Sequence, residues 1–359
     1  MFHRDIELPA FFPARGLRDP HLMTVAGAFL PRSGVRSFSA MAEMRTFRVD
    51  ESNAVRAACH WNGRPEDAAC VVLVHGLAGD ADSPYVLGGA SKAIAAGFHA
   101  VRVNIRNCGG TADLSSTIYH GGLTAEILAV ARELVERDGV PEIHLAGFSM
   151  GGSQVLKLAG ELGQGAPDWL RSVGAVSPAV DFGAAADCLD GPSFWSRVYR
   201  RRFLVNLRDM AQARERLDGG DLQPEALDRI DGIRAFDVAY TAPRGGFRDV
   251  EDYYARASSI GWIASIRVPT LILAAEDDPL VPFDGFRPGR FPENPWVRLV
   301  TTPEGGHLGF VARTRARTEP GRDADTRWAE NRLIQFFAAG RAWGDRAERN
   351  TGAKATLLG

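Results

Sequence analysis

Lysine is scarce in this chain. Of 42 basic residues only Lys92, Lys157 and Lys354 are lysine, and the remaining 39 are arginine; the skew reflects a GC-rich genome rather than a function. Charge of one sign is lacking too. Forty-four acidic side chains bring the net charge to −2, so no field gathers nucleic acid or an anionic membrane. Cysteine is sparse: Cys59, Cys70, Cys108 and Cys188 form no CxxC pair and no zinc-site spacing. Four are too few for a disulfide scaffold across 359 residues, and reduced thiols in a cytoplasm are expected. No apolar run reaches the roughly 18–20 residues of a membrane span, and Met1–Gly16 lacks the apolar stretch of a signal peptide. There is no P-loop, no GxGxxG opening a helix, no HExxH and no basic-aromatic stripe. The expectation is a cytoplasmic protein with no integral membrane segment, no nucleic-acid partner, no metal and no cofactor. Histidine is rare at eight residues, whereas glycine is plentiful at 39.

Short apolar runs alternate with longer helical patterns, which points to an α/β fold with a mostly parallel central sheet flanked by helices. The runs fall at 70–75, 100–105, 143–146, 173–176, 270–274 and 297–300, with helices expected near 88–96, 122–137, 151–162 and 326–339. Residues 36–61 read as an antiparallel lead-in. The alternation breaks once, from 183 to 262, where apolar positions recur at helical spacing through Phe194, Trp195, Val198, Tyr199, Phe203 and Leu207. This segment is expected to be a helical cap or lid over the carboxyl edge of the sheet. Arg197, Arg200, Arg201, Arg202 and Arg208 within it read as a solvated face. The expected division is a core of 1–182 and 263–342, with 1–35 as an N-terminal extension, a cap of 183–262 and a tail of 343–359.

The most informative stretch is Ile143-His144-Leu145-Ala146-Gly147-Phe148-Ser149-Met150-Gly151-Gly152. Gly147-x-Ser149-x-Gly151 between a strand and a helix fits a nucleophile elbow, a sharp turn that exposes the serine Oγ. Side chains at Gly147 and Gly151 would clash where strand and helix converge. In folds built on such an elbow the partners follow in the order Ser, Asp or Glu, His. Of the eight histidines only His307 follows Ser149, in the glycine loop Gly305-Gly306-His307. The acid is sought after the strand at 270–275, in Glu276-Asp277-Asp278. Related folds commonly place it four residues before the proline of a Val-Pro pair, which selects Asp278, with Asp277 as the fallback. The oxyanion of an acyl-transfer intermediate needs two N–H donors. Met150, after the nucleophile, offers one. Leu77, in the turn His75-Gly76-Leu77, is chosen for the other, with His75 bracing that turn.

These residues resemble those of the α/β-hydrolases, and in particular the YheT-like subfamily that includes the ABHD-type esterases and lipases. The resemblance runs from about 19 to 340. It takes in Asp19-Pro20-His21-Leu22-Met23-Thr24, His75-Gly76-Leu77, Tyr119-His120-Gly121-Gly122, the elbow, Phe236-Asp237, Thr241-Ala242-Pro243, Tyr253-Tyr254, Asp277-Asp278-Pro279 and Gly305-Gly306-His307. Two departures stand out. Met23 replaces a usual glutamine, and Asn107 replaces a usual glycine at a turn where asparagine also adopts a left-handed backbone. The resemblance implies a cofactor-independent hydrolase of small-molecule carboxylic esters with short to medium acyl chains. A thioesterase, an acyltransferase using the same triad and a non-catalytic binding domain of this fold are the rivals.

Overall fold

The structure, a computed structural model, describes residues 6–32, 34–219, 224–313, 323 and 325–340. Eight strands form one sheet: β1 (Glu43–Arg48), β2 (Ala54–His60), β3 (Cys70–Val74), β4 (His99–Asn104), β5 (Ile143–Phe148), β6 (Leu170–Val176), β7 (Thr270–Ala275) and β8 (Val297–Thr302). Their order is β1-β2-β4-β3-β5-β6-β7-β8. Only β2 runs against the rest, pairing antiparallel with β1 and β4, and the remaining pairings are parallel. Every residue of β3, β4, β5 and β7 is buried. That is the signature of parallel strands covered on both faces, and it explains why their sequences read as continuous apolar runs rather than alternations.

Crossover helices Pro84–Ala95, Ala125–Glu136 and Met150–Leu162 supply the cover, with a further helix at 328–340. Two buried apolar clusters follow, one on each face. One gathers residues such as Val72, Val101, Ile127, Leu145 and Leu156; the other gathers Leu73, Phe98, Phe148, Leu271 and Phe336. The period-2 direction of successive strand side chains explains why Val72 and Leu73, adjacent in sequence, sit in different clusters.

The lead-in is shorter than the sequence suggests. Val35–Ala40 is helical, and only β1 and β2 are extended. None of those six helical residues is buried, so no apolar period marks the helix in the sequence. Asn107 does take the left-handed conformation, with φ +63°.

Between β6 and β7 lie helices Phe182–Leu189, Phe194–Asp218, Ile233–Phe236 and Val250–Ala257, with a π-helix at Asp237–Thr241. Side-chain caps set the starts of three of them: Asp181, Ser193 and Asp249 each accept from a backbone N–H three residues on. Helix Phe194–Asp218 buries Tyr199, Leu204, Leu207 and Ala211 but leaves Phe194 and Val198 exposed. Its arginines are not uniformly solvated, which corrects the expectation. Arg200 donates to the Leu189 and Gly191 carbonyls, and Arg208 to that of Ile230, so both tie the insert to itself. The expected tail, 343–359, lies outside the described residues.

Candidate active site

The carboxyl ends of β3, β5, β7 and β8 lie along one edge of the sheet, with β6 between β5 and β7, and four loops leave them in the same direction. Ser149 follows β5 directly. Its φ of 54° and ψ of −120° are a conformation that L-residues rarely adopt, held because the surrounding backbone leaves no alternative. A Cβ on Gly147 would stand 2.2 Å from the Gly151 carbonyl oxygen, and one on Gly151 would stand 2.3 Å from that of His75. Both glycines therefore permit backbone to pass over backbone at the elbow. Gly76 is also close: a Cβ there would lie 3.1 Å from Ser149 Cβ.

His307 sits in the loop after β8, 7% exposed. Its Nε2 is 2.9 Å from Ser149 Oγ and its Nδ1 is 2.8 Å from Asp278 Oδ2. Asp278 Oδ1 accepts from the N–H groups of Leu280 and Val281 at 2.9 and 3.0 Å, which fixes the carboxylate plane. Asp277 faces elsewhere. Its Oδ1 accepts from Gly306 N–H at 2.8 Å, its buried Oδ2 has no partner among the described residues, and burial pushes its carboxyl above the usual range. The two adjacent acids thus touch different atoms of one loop, the imidazole and the backbone.

Leu77 and Met150 line one cavity with Ser149 and His307. Met150 is the first residue of helix Met150–Leu162, so its N–H has no partner within the helix. His75 is buried. Ile105 N–H donates to its Nε2 at 3.2 Å and its Nδ1–H donates to the Gly76 carbonyl at 2.8 Å, so the ring is a neutral strut across the turn. Tyr119 links the two sides: its hydroxyl accepts from Ala78 N–H at 3.2 Å and donates to Met150 Sδ at 3.0 Å.

Sequence reasoning missed the part played by helix Pro20–Phe29. Thr24 Oγ accepts from His307 N–H at 2.9 Å while donating to the Pro20 carbonyl at 2.7 Å. A Cβ on Gly27 would stand 2.6 Å from Gly309 Cα, so the helix lies directly on the histidine loop. That loop is strained, with φ of 55° at Leu308 and 41° at Phe310. The only signal in the sequence was the Pro20-His21-Leu22-Met23-Thr24 motif, which carries no hint of its distant partner. The same helix reaches the insert through His21, which stacks on Trp195 with centroids 4.8 Å apart and lies 3.2 Å from the Tyr199 hydroxyl.

Two spaces meet at Ser149 and His307. A narrow cavity runs under the insert between Phe182, Leu189, Phe203 and Leu207. A wider cleft lies between helix Pro20–Phe29, the turn Gly76–Gly79 and Arg202. Among the described residues no three His, Cys, Asp or Glu side chains are grouped to hold a metal ion. No described helix is long and apolar enough to cross a membrane.

Residues 70–314 match the family described as alpha/beta hydrolase fold. Over 334 residues the chain is 29% identical to the Escherichia coli protein YheT, covering 91% of this chain and 92% of that one. Over 277 residues it is 29% identical to a monoacylglycerol lipase of Saccharomyces cerevisiae, covering 74% of this chain and 58% of the lipase. Among solved structures, the Pyrococcus furiosus esterase Pf2001 superposes with a TM-score of 0.53 at 14% identity, over 92% of this chain and 98% of that one. By the extent of the family match, the chain belongs to the alpha/beta hydrolase fold family.

Proposed function

We propose that this protein is a serine hydrolase of carboxylic esters. The observation that carries the reading is the relay from Asp278 through His307 to Ser149, with hydrogen bonds of 2.8 and 2.9 Å ending on a serine held in a strained elbow. In this reading His307 Nε2 takes the Ser149 proton as Oγ attacks the ester carbonyl. Asp278 holds the ring in the Nδ1–H tautomer and stabilises the imidazolium that forms. The N–H groups of Leu77 and Met150 take the charge that develops on the carbonyl oxygen, where fixed donors need no reorganisation. His307 returns its proton to the departing alcohol, leaving an acyl-enzyme. It then draws a proton from water to release the acid.

The apolar cavity under the insert suits a short to medium acyl chain, and the wider cleft suits the alcohol. The division into a core of 1–182 and 263–342 with a cap of 183–262 belongs to the same reading, since the insert walls the cavity. The yeast relative named a monoacylglycerol lipase and the fold neighbour named an esterase agree in reaction class.

A fluorophosphonate probe tests the nucleophile: labelling of the wild type and none of Ser149→Ala is expected, and equal labelling of both would sink the proposal. Rates over p-nitrophenyl and acyl-CoA esters of graded length test the substrate. A maximum at long chains or a strong preference for CoA would replace the ester and chain-length assignment with a thioesterase or long-chain one.

A further inference from the structure

Most of the wall of the cavity under the insert is apolar, yet six of its residues carry polar side-chain groups that the acyl-transfer scheme leaves idle: Tyr119, which ties Ala78 to Met150, and His120, Asp237, Thr241, Tyr253 and Tyr254. Asp237 and Thr241 open and close the π-helix. Such single turns are rare and frequently lie at functional sites, and here both of its end residues line the cavity. The Asp237 carboxylate, 9% exposed, accepts from the Tyr254 hydroxyl at 2.8 Å. Burial pushes its carboxyl up to about 6. The nearby Arg234 forms its ion pairs with Asp187 and Glu251 instead.

Two donors share this wall. Tyr253, 3% exposed, accepts from Gly121 N–H at 3.0 Å, and its own hydroxyl proton has no acceptor among the described residues. His120 Nδ1 accepts from Gly122 N–H at 3.2 Å. Burial, with Arg106, Lys157 and Arg256 nearby, pushes the ring down to about 3. It is therefore neutral with its hydrogen on Nε2, and that hydrogen also lacks an acceptor among the described residues.

Charge narrows the ligand. A cation has no acceptor for the Tyr253 and His120 hydrogens, and an anion would face the Asp237 carboxylate. An uncharged hydroxyl donates to Asp237 and accepts from Tyr253 or His120, so it meets both needs at once.

We propose that the cavity takes a hydroxylated acyl chain, binding its uncharged hydroxyl between Asp237 and the donors Tyr253 and His120. This rests on the ester-hydrolase reading. A site built to hydrogen-bond a substrate hydroxyl discriminates strongly against the analogue lacking it, because its own buried polar groups are then left unpaired. A purely apolar wall would instead penalise the hydroxyl by roughly tenfold.

The test is the ratio of kcat/KM for p-nitrophenyl esters of a hydroxy acid and its plain counterpart. The hydroxyl is placed at the third carbon and at each carbon from the sixth to the tenth (alcohols at the fourth and fifth lactonise). The expected ratio exceeds about threefold at one position, and Tyr253→Phe and Asp237→Asn each lower it at least tenfold there. A wild-type ratio below threefold at every position overturns the inference without needing any variant, and so does a preference that neither substitution lowers. Turnover of plain esters without discrimination overturns this inference alone. No turnover together with no Ser149-dependent labelling overturns both readings.

Discussion

Replacing Thr24 by valine keeps the shape of the side chain and removes one oxygen. That oxygen is the acceptor for His307 N–H at 2.9 Å, in a residue only 7% exposed. Losing it strands a buried donor, at a cost of about 1–3 kcal/mol. The cost falls on the loop position in which His307 Nε2 reaches Ser149, since an open loop could offer the N–H to water. At 1.36 kcal/mol per tenfold, kcat should fall by about 5- to 150-fold. KM should change less than kcat, because the bond lost lies within the protein, between Thr24 Oγ and His307 N–H, and not to substrate. The assay is kcat and KM on p-nitrophenyl butyrate, with the rate of fluorophosphonate labelling as a measure independent of substrate. Thr24→Ser keeps the hydroxyl and should recover activity to within about threefold. Thr24→Val within twofold of wild type, or serine and valine variants equally impaired, would refute the argument that this hydroxyl positions the histidine.

Asp278→Asn should lower kcat by about 10³–10⁴-fold, because an amide cannot stabilise the imidazolium or hold the right tautomer. Asp277→Asn keeps the oxygen that accepts Gly306 N–H and should lose less than tenfold; equal losses in the two variants would mean that the acids are misassigned. Gly151→Ala forces a methyl to 2.3 Å from the His75 carbonyl oxygen and should destabilise by about 3 kcal/mol or leave the protein insoluble. An unchanged urea midpoint would show that the elbow has room to spare. Asp237 gives a pH signature. Its carboxyl is raised from 3.8 to about 6 by burial, so the stability it contributes is full below about pH 4 and is lost as pH rises through 6. Wild type should therefore weaken relative to Asp237→Asn by about 2 kcal/mol between pH 4 and pH 7. A flat difference in urea midpoints over that interval would rule out desolvation as the cause.

What the sequence disclosed depended on whether the constraint was local. The buried strands and the elbow were legible because both are written in consecutive residues: apolar runs for strands covered on two sides, and glycines at fixed offsets where backbone crosses backbone. His307 emerged from chain order alone. The choice between Asp277 and Asp278 stayed open, since adjacent residues of one turn differ only in where the backbone aims them. Thr24 and Tyr119 stood in motifs, but their partners lie 283 and 31 positions away, respectively, and nothing in either motif encodes that distance. Helix Val35–Ala40 and the π-helix at Asp237–Thr241 escaped for opposite reasons. The first has no buried face to impose a period. The second departs from the 3.6-residue period that pattern reading assumes.

The contact between helix Pro20–Phe29 and the His307 loop joins two stretches of chain that leave the ribosome far apart in time. At about 5–20 residues per second, the 283 positions between Thr24 and His307 take roughly 15–60 s to make. Throughout that interval Met23 and Gly27, buried in the finished fold, have no histidine loop to cover them, and Ser149 has no base. Strands β1 to β7 are all translated before either need is met. In the proposed scheme the nascent chain is therefore inert toward esters until its last strand and the loop beyond it emerge. Closing helix Pro20–Phe29 onto that loop then buries Met23 and Gly27 and arms the serine in one event.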